Sequence, residues 1–564
     1  MICSNANSSA TKVVKPCHQP PWMVHLEDHC LMDNQLSAAY QTTRLEHNIN
    51  LDITCCPKVA RLTKLMVTLG NANSHPEAIV EMMMAGANIV RLNMSHEQEK
   101  WHAITVQSIR EAGNRMYEYT SDIYPLGVAM NLRGPEIRTG IFNGDPLNRG
   151  YAQLKEGGIV RLVTNDLAKR AGSACCFWIS YPNLPRVCRP GDKILIDRGA
   201  AILQVRCVRE TSLVCKVIKG GIIKDEKLVQ LMDSIIPLPQ ISETDNEHIR
   251  LAADLECDIL IANHVRNKRL INGIKSRLKQ IGANKVCVMA KISSQQGLEN
   301  FDEILGAADA ILLDRKSVEI DVGPEKMFLV EKVVIGKCMN VGKPVMLAFH
   351  VPNCGQPRID MNLIANAVLT GTDGIFLKTG TLNCKQTSEL LKNIDVICRE
   401  AESARWQREI FNDLSHKIAI PLDPSQAIIV GAIETCSKSN AAAIIVTTTS
   451  GRTATMLSLY RPRCPIVAIT RYGIVARSLQ LYHGLYPLHY INPPLCDWSK
   501  DMETRIESGV NFLRRKKYIK VGDAIIIVSG WRQGIGFTNC IRIIYVPPEH
   551  VCIQNELSDF ELCL

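Results

Sequence analysis

Several common signatures are missing from this sequence of 564 residues. No stretch approaches the roughly 18 uninterrupted apolar residues of a transmembrane helix, and the N-terminal MICSNANSSATKVVKPCHQ lacks the apolar core of a secretory signal. The 22 cysteines include no C-x-x-C pair, and the adjacent pairs Cys55-Cys56 and Cys175-Cys176 suit neither a usual disulfide nor a zinc knuckle. We therefore expect reduced thiols, a cytoplasmic location and no membrane span.

The net charge and the glycine motifs limit the kinds of ligand that this protein is expected to bind. The net charge of +9 is modest and spread along the chain, so it gives little support to a nucleic-acid partner and suits an anionic small molecule at least as well. Neither G-x-x-x-x-G-K-[ST] nor a G-x-G-x-x-G after a first strand is present, so neither a P-loop nor a Rossmann site is indicated. The remaining composition is typical of an ordinary globular protein with two to four domains.

Apolar runs and helix-period segments alternate along most of the chain. Three apolar runs lie between residues 61 and 133, and five more follow residue 234. This order is typical of βαβ units with buried parallel strands, and about eight repeats match a closed barrel. The predicted fold class is α/β, a TIM (β/α)8 barrel with an inserted small all-β barrel domain and a C-terminal α/β domain.

Changes in composition and in the length of the apolar segments along the chain predict the domain boundaries. Short β-rich pieces between about 141 and 232 indicate the insertion. LSAAYQTTRLEH is predicted to form one short helix, and the first 35 residues are interpreted as a mobile leader, with a metal-binding tail as the alternative. The expected divisions are 1–60 leader and short helical arm, 61–134 first part of the barrel, 135–234 inserted lid, 235–405 second part of the barrel, 406–547 C-terminal domain and 548–564 tail.

Polar residues follow the predicted barrel strands, whose C-terminal ends form the active-site face of such folds. Arginines and lysines on neighbouring loops should converge there and suit a substrate that bears phosphate and carboxylate groups; the alternative is a set of separate solvated cations. The strand ends read Arg91-Leu-Asn93-Met-Ser95-His96, Asn131-Leu-Arg133-Gly-Pro-Glu136-Ile-Arg138, Asn263-His264-Val-Arg266, Lys291 and Asp314-Arg315-Lys316-Ser317.

The last domain contains a second candidate site. TTTSGRT, residues 447 to 453, lies between a predicted strand and helix, where backbone N–H groups and hydroxyls can bind phosphate. A capped helix without a ligand is the alternative. The glycine-rich GWRQGIGFTN, residues 530 to 539, is typical of a plain hairpin between two strands.

A string of motifs in this order resembles the pyruvate kinase family: VRLNMSH, LRGPEIRTG, AKI, ENFDEIL, ANAV, SGRTATMLSLYRPRCPIVAITR and GWRQGIGFTN. The resemblance covers about Leu36 to Pro547. It implies a barrel, an inserted lid and a C-terminal regulatory domain in a homotetramer or in a hetero-oligomer with a sister chain. It also implies the glycolytic transfer of a phosphoryl group from phosphoenolpyruvate to ADP, giving pyruvate and ATP, with Mg2+ and K+ as cofactors.

The resemblance assigns roles to residues of the barrel. Arg91, Arg138 and Lys291 match groups that stabilise charge during phosphoryl transfer, and they are the expected catalytic residues. The expected substrate-binding residues are Arg91, Arg315 and Lys316, and the nucleotide-binding ones are Asn93 and Arg138. The expected monovalent-cation ligands are Asn93, Ser95, Asn131 and Leu132, and Glu136 is the carboxylate that usually accompanies K+ dependence.

Several positions depart from the family pattern. The two Mg2+ ligands of the family are a glutamate two residues after the barrel lysine and the aspartate of an Ala-Arg-Gly-Asp run, and these positions hold Ser293 and Ser317. A neutral hydroxyl does not replace a carboxylate as a ligand of a hard dication, so we expect weak or absent Mg2+ binding. The family's cation-site aspartate, substrate-site glycine and enolate-site threonine are replaced by Asn131, Lys316 and Phe349, respectively.

The acids Glu319, Asp321 and Asp314 lie near the lost metal position, and the best candidate to replace a lost metal ligand is Asp314. It precedes the lost aspartate by three positions, so in a strand it should point to the opposite face. Lys291 has no carboxylate near it along the chain and is expected to lie without its former partners.

The C-terminal domain keeps more of its family pattern. Ser450, Gly451, Arg452 and Thr453 match the loop that holds one phosphate of an activating sugar bisphosphate, and Trp498 and Arg505 match groups at the other phosphate. Two functions follow as hypotheses. One is a pyruvate kinase with weak or absent turnover. The other is a non-catalytic paralogue that binds sugar phosphates or regulates a homo- or hetero-tetramer.

Overall fold

The computed structural model describes residues 35–95, 97–134, 136–142, 150–197, 199–231, 241–351, 360–417, 421–532, 536 and 538–547. The predictions for a leader and a tail fall almost wholly outside these residues. The described strands, numbered in chain order, are β1 Lys64–Thr68, β2 Ile89–Asn93, β3 Gly127–Asn131, β4 Ile137–Arg138, β5 Tyr151–Leu154, β6 Ile159–Val163, β7 Cys176–Trp178, β8 Lys193–Ile196, β9 Ala201–Arg209, β10 Ser212–Lys219, β11 Gly221–Lys224, β12 Leu228–Leu231, β13 Ile259–Ala262, β14 Cys287–Ile292, β15 Ala310–Asp314, β16 Val345–His350, β17 Gly374–Lys378, β18 Ala443–Thr447, β19 Ile466–Thr470, β20 Leu485–His489, β21 Ala524–Gly530 and β22 Thr538–Tyr545.

Helices separate most of the barrel strands and the strands of the last domain. None of the described helices combines the length and the apolar character needed to cross a bilayer. Their bounds are Leu36–Ala39, Arg44–Ile49, Pro76–Met84, Glu99–Thr120, Leu184–Val187, Glu243–Asp254, Lys268–Gln280, Gln295–Glu299, Phe301–Ala307, Arg315–Val322, Met327–Val341, Met361–Thr370, Cys384–Ser403, Gln407–His416, Pro424–Lys438, Arg452–Leu459, Gly473–Ser478 and Trp498–Arg515.

Eight parallel strands close into a barrel in the order β1-β17-β16-β15-β14-β13-β3-β2. The predicted fold class is therefore confirmed. Side chains alternate along each strand between the barrel interior and the layer of surrounding helices. Met66, Met289 and Phe376 fill the interior, while Leu65 and Val67 pack in the outer core.

The inserted region between β3 and β13 is built almost wholly of strands. Seven of them form one sheet in the order β4-β12-β8-β9-β10-β6-β7, and β5 pairs with β11. Phe142 and Phe177 meet edge to face in the core of this region, with ring centroids 5.5 Å apart. The insertion leaves the barrel through Gly134 and begins its sheet at Ile137, next to the carboxyl end of β3.

The last domain is a five-stranded sheet in the order β20-β19-β18-β21-β22. Neighbouring strands are parallel except for β21 and β22, which are antiparallel. Helix Pro424–Lys438 contributes to the core on one side of the sheet, and helix Trp498–Arg515 contributes to the core on the other. This arrangement is the predicted α/β domain.

The prediction of one helix in LSAAYQTTRLEH is wrong, because two short helices are present, Leu36–Ala39 and Arg44–Ile49. Thr43 begins the second one: its hydroxyl accepts from the Glu46 backbone N–H, and the Glu46 carboxylate accepts from the Thr43 backbone N–H. This capping box fixes a helix start in the middle of the segment.

Candidate functional site

The carboxyl ends of the barrel strands bring polar side chains to one mouth. Met289 and Leu312 lie in the barrel interior, so Lys291 and Asp314, two positions further along β14 and β15, also face inward. The same alternation places these residues at the mouth: Thr68, Arg91, Asn131, Asn263 and Lys378.

Asp314 is the central charged group of this mouth. Its carboxylate forms an ion pair with Lys291 Nζ at 3.1 Å and accepts a hydrogen bond from Lys378 Nζ at 2.9 Å. The side chain of Asp314 is 1% exposed, that of Lys291 9% and that of Lys378 16%. Removing one member of such a buried ion pair costs several kcal/mol, since the partner charge is left in a poorly solvated place. The carboxylate therefore stabilises both ammonium groups, and they stabilise it.

One sequence expectation about this region is wrong, because Asp314 points into the mouth rather than away from it. Lys291 lacks the two family acids at Ser293 and Ser317, and its carboxylate partner in the structure is Asp314. The expectation for Asp314 is based on a strand that continues to Ser317. Strand β15 instead ends at Asp314, and helix Arg315–Val322 follows directly, so the two-residue alternation does not relate Asp314 to Ser317.

The two family metal positions hold buried hydroxyl groups. Ser293 is 2% exposed and Ser317 is 5% exposed. Ser293 Oγ lies 3.0 Å from His264 Nδ1, and the nearby Asp314 carboxylate is bound by two ammonium groups. Within the described ranges no three His, Cys, Asp or Glu side chains are grouped so that they could hold a metal ion. Because Mg2+ takes oxygen ligands with carboxylate charge, this set does not fit it.

A hydrogen-bond chain runs from Ser293 through His264 to Glu136. His264 Nε2 lies 3.1 Å from Glu136 Oε1. Burial lowers the pKa of His264 and outweighs the opposing effect of Glu136. In the neutral imidazole that results, Nε2–H donates to the carboxylate and Nδ1 accepts from the serine hydroxyl.

Glu136 also binds the expected nucleotide-site arginine. Arg138 Nε donates to Glu136 Oε2 at 2.9 Å, and Arg138 Nη1 donates to the Glu226 carbonyl at 2.8 Å. Burial raises the pKa of Glu136, but the bonds from His264 and Arg138 outweigh it and bring the pKa to about 2. Glu136 is therefore ionised and holds the Arg138 guanidinium against the edge of the insertion.

The expected substrate-binding arginines, Arg91 and Arg315, are likewise engaged within the chain. Arg91 Nη2 donates to Asn93 Oδ1 at 2.9 Å, and its guanidinium lies 5.5 Å from the Phe376 ring centroid. Arg315 forms an ion pair with Glu331 and stacks 4.8 Å from the centroid of Phe349. The next residue in the helix, Lys316, is exposed.

The expected ligands of the monovalent cation are also joined to one another. Asn131 Nδ2 donates to Asn93 Oδ1 at 3.3 Å and to the Leu132 carbonyl at 2.9 Å, while Ser95 is half-buried in the loop after β2. The amide nitrogen therefore takes the place that a cation would need between two oxygen atoms. The set offers a cation only neutral oxygen atoms and no carboxylate charge.

The C-terminal domain forms a small pocket of about 80 Å³ from the expected effector residues. Ser450, Thr453, Trp498 and Arg505 line it together. The Arg505 guanidinium lies 5.7 Å from the Trp498 ring centroid and is paired with Asp501, whose other oxygen accepts from Arg471 at 2.7 Å. The pocket therefore combines hydroxyl donors with an arginine whose position is fixed.

The two remaining residues of the SGRT segment have other positions. Gly451 begins helix Arg452–Leu459 at φ 86°, where a Cβ atom would lie 3.2 Å from the Leu479 side chain. The Arg452 side chain is 72% exposed and reaches toward Asp423 at 3.6 Å rather than lining the pocket. Gly451 therefore has a backbone role at the helix start, and Arg452 does not line the pocket.

Two residues of the mouth were missed as functional candidates. Lys378 ends the predicted strand GIFLK, and His264 was noted only as part of a strand end. The alternation of inward-facing residues could have identified Lys378, because Phe376 is a buried aromatic two positions before it. No sequence signal identifies the contact of His264 with both Ser293 and Glu136.

Comparisons with known proteins agree with this architecture. The family model described as pyruvate kinase, barrel domain, matches residues 60–389, and that described as pyruvate kinase, alpha/beta domain, matches residues 426–544. Human pyruvate kinase PKLR is 36% identical over 91% of this chain and 90% of its own. Pyruvate kinase of Schizosaccharomyces pombe is 31% identical over 88% of this chain and 96% of its own length. Pyruvate kinase 1 of Trypanosoma brucei brucei is 29% identical over 90% of this chain and 100% of its own length. The chain belongs to the pyruvate kinase family.

Proposed function

We propose that this chain is a non-catalytic member of its family, which binds sugar phosphates through the C-terminal domain and regulates an oligomer of its own or of a sister chain. Phosphoryl transfer from phosphoenolpyruvate to ADP is the reaction that it has lost or nearly lost. Its expected location is the cytoplasm, in keeping with glycolytic relatives.

The Asp314 contacts carry this proposal. Lys291 is the residue expected to stabilise the transferring phosphoryl group and the enolate, yet its ammonium is bound to Asp314 at 3.1 Å. In the family run Ala-Arg-Gly-Asp the position of Asp314 is an alanine. In this chain a carboxylate therefore contacts Lys291 at the mouth. The positions of the family's metal carboxylates hold the hydroxyl groups of Ser293 and Ser317.

A second candidate function is catalysis with reduced turnover. The presence of Arg91 and Lys291 at the mouth supports it, as does the extent of similarity to proteins named pyruvate kinase. These groups position charge but do not supply a dication, and charge neutralisation by the metal contributes several kcal/mol to this type of transition state. Loss of about 4 kcal/mol corresponds to roughly 1,000-fold in rate.

A coupled assay separates the two candidates. Purified full-length protein is supplied with phosphoenolpyruvate, ADP, K+ and Mg2+ or Mn2+, and pyruvate is followed with lactate dehydrogenase. We expect turnover at least about 1,000-fold below that of an ordinary family member assayed alongside. Turnover within about tenfold of that enzyme would favour the catalytic candidate and reject ours.

Two sets of substitutions test the cause. The pair Ser293→Glu with Ser317→Asp restores the family's metal ligands but leaves Asp314 on Lys291. Adding Asp314→Ala frees the lysine, so we expect pyruvate formation to rise only in the triple variant. Equal activity of the double and triple variants would show that Asp314 does not limit the site.

A further inference from the structure

Two buried cysteines meet in the C-terminal domain, far along the chain from the barrel mouth. Cys436 lies in helix Pro424–Lys438 and Cys464 lies just before β19, and their Sγ atoms are 3.4 Å apart. Cys436 is 6% exposed and Cys464 is 2% exposed. A disulfide has an S–S distance of about 2.05 Å, so the two sulfur atoms need a small further approach to bond.

These thiols also lie at the wall of a pocket. Its volume is about 480 Å³, and its lining includes Tyr40 and Lys58 from the N-terminal segment as well as Arg463, Cys436 and Cys464. The pocket therefore has room for a small polar oxidant beside these two residues. The cationic side chains at this wall favour an anionic thiolate over a thiol.

The electrostatics of the pair distinguish the two thiols. The hydrogen bond with Cys436 lowers the pKa of Cys464, and Lys58 lowers it further against the effect of burial. The same pairing and burial raise the pKa of Cys436. Burial and Arg463 lower the pKa of Lys58 to about 8, so its ammonium is still the main form at neutral pH. Cys464 is thus the better nucleophile, and Cys436 lies beside it as the second thiol.

We propose that Cys436 and Cys464 form a redox-active dithiol, which a small hydroperoxide entering this pocket converts to an intramolecular disulfide. The Cys464 thiolate attacks the outer peroxide oxygen, the O–O bond breaks, and the departing oxygen takes a proton to become an alcohol, or water from hydrogen peroxide. Cys464 is then a sulfenic acid. The Cys436 sulfur attacks it, the S–S bond forms and water leaves. Two thiols lose two electrons and two protons in total, and the peroxide takes up both.

The disulfide would couple the last domain to the N-terminal segment. It removes the thiolate near Lys58. It also links the end of helix Pro424–Lys438 covalently to the segment just before β19. Lys58 Nζ donates to the Arg463 carbonyl at 3.2 Å, next to Cys464, so a change at the dithiol acts directly on this contact. This proposal does not depend on the proposed function of the barrel.

Peptide mass spectrometry of the full-length protein tests the dithiol. The reduced protein is exposed to hydrogen peroxide at a few equivalents, blocked with N-ethylmaleimide at fixed times and digested. We expect a peptide that links Cys436 to Cys464 to form at least about tenfold faster than Cys215 or Cys257 is oxidised, and to disappear with dithiothreitol. These two are matched controls, because they are buried and burial raises the pKa of each to about 12.

A variant identifies the attacking thiol. In Cys436→Ser the second step is blocked, so dimedone should trap a sulfenic acid at Cys464 on the full-length protein. Cys464→Ser should leave Cys436 unlabelled under the same exposure. The proposal is overturned if the wild-type pair stays reduced while exposed thiols such as Cys56 are oxidised, or if the linked peptide forms no faster than the buried controls react.

Discussion

The carboxylate of Asp314 and the ammonium of Lys291 are 3.1 Å apart at the mouth of the barrel, and both side chains are nearly inaccessible to water. Lys378 binds the same carboxylate from β17 at 2.9 Å. One carboxylate between two ammonium groups leaves a net charge of +1 for the three, where two free lysines would give +2. The contact therefore weakens the attraction of the mouth for an anionic substrate.

Asp314→Asn is predicted to turn the mouth into a metal-independent anion site. The asparagine keeps the shape of the side chain but removes the negative charge between two ammonium groups, so oxalate or phosphate without Mg2+ should raise the melting temperature by several degrees. The wild type should shift by about one degree or less under the same conditions, measured by differential scanning fluorimetry. Asp302→Asn is the matched control, since Asp302 pairs with Lys337 at an exposed site where both side chains are accessible. Similar shifts in the wild type and in Asp314→Asn would reject the masking role of Asp314.

The Glu136 and His264 pair predicts how stability depends on pH. The folded-state pKa of Glu136 is about 2, below its usual 4.5, so its contribution is complete above about pH 4.5 and is lost as the pH falls toward 2. Between pH 5 and pH 3 this loss is about 2 kcal/mol. The pKa of His264 is lowered from 6.5, so its contribution is lost as the pH falls below about 6.5.

Urea titrations at pH 7, 5 and 3 check this prediction with Glu136→Gln. The variant should be less stable than the wild type at pH 7, and the gap should narrow by about 2 kcal/mol between pH 5 and pH 3, because glutamine does not titrate. Asp302→Asn again serves as the control with an exposed carboxylate. A constant gap across the range would mean that Glu136 is not the titrating group.

The barrel could be predicted from the sequence to a large extent, because each buried parallel strand is a continuous apolar run, as in β13 and β16. The mouth could be predicted only in part. The pairing of Lys291 with Asp314 could not be predicted, because the two residues lie on neighbouring strands and the register between strands is not visible in the spacing along one chain. Asp314 points into the mouth because β15 ends at that residue. Periodicity in the sequence cannot locate the end of a strand to a single residue.

Asn131→Asp is predicted to create a response to K+. In the wild type the Asn131 amide nitrogen binds the Asn93 and Leu132 oxygens at 3.3 and 2.9 Å, and a carboxylate there would present oxygen and charge instead. We expect K+ to raise the melting temperature of the variant by a few degrees more than an equal concentration of a large quaternary ammonium salt, and to give no such difference in the wild type. A K+-specific shift in the wild type would contradict the closed arrangement of this site.

Arg505 and Arg452 are predicted to differ in effector binding. Arg505 lines the phosphate pocket, whereas Arg452 is 72% exposed and points toward Asp423. Arg505→Met should weaken the binding of a sugar bisphosphate at least about tenfold, because a charge-assisted contact contributes about 1.5 to 3 kcal/mol. Arg452→Met, the matched control, should change it by less than about threefold. Isothermal titration calorimetry decides between them, and equal losses would show that the pocket as described is not the binding site.

The effector pocket was easier to predict than the mouth because most of it comes from one short segment. Ser450 lies in the connection after β18 and Thr453 in the first turn of the helix that follows, so their proximity follows from the sequence itself. Trp498 and Arg505 were assigned only through the family resemblance. The dithiol had no sequence signal at all, since Cys436 and Cys464 belong to different elements and come together only through the packing of a helix on the sheet.

Binding of Mn2+ to the full-length protein tests the central claim most directly. Electron paramagnetic resonance titration reports free Mn2+ and so counts occupied sites. The account predicts no stoichiometric Mn2+ site in the wild type at concentrations that saturate an ordinary family member, and one site per chain in the triple variant Ser293→Glu, Ser317→Asp, Asp314→Ala. A stoichiometric site in the wild type that is lost in Asp314→Ala would contradict it, because Asp314 would then be a metal ligand rather than the partner of Lys291.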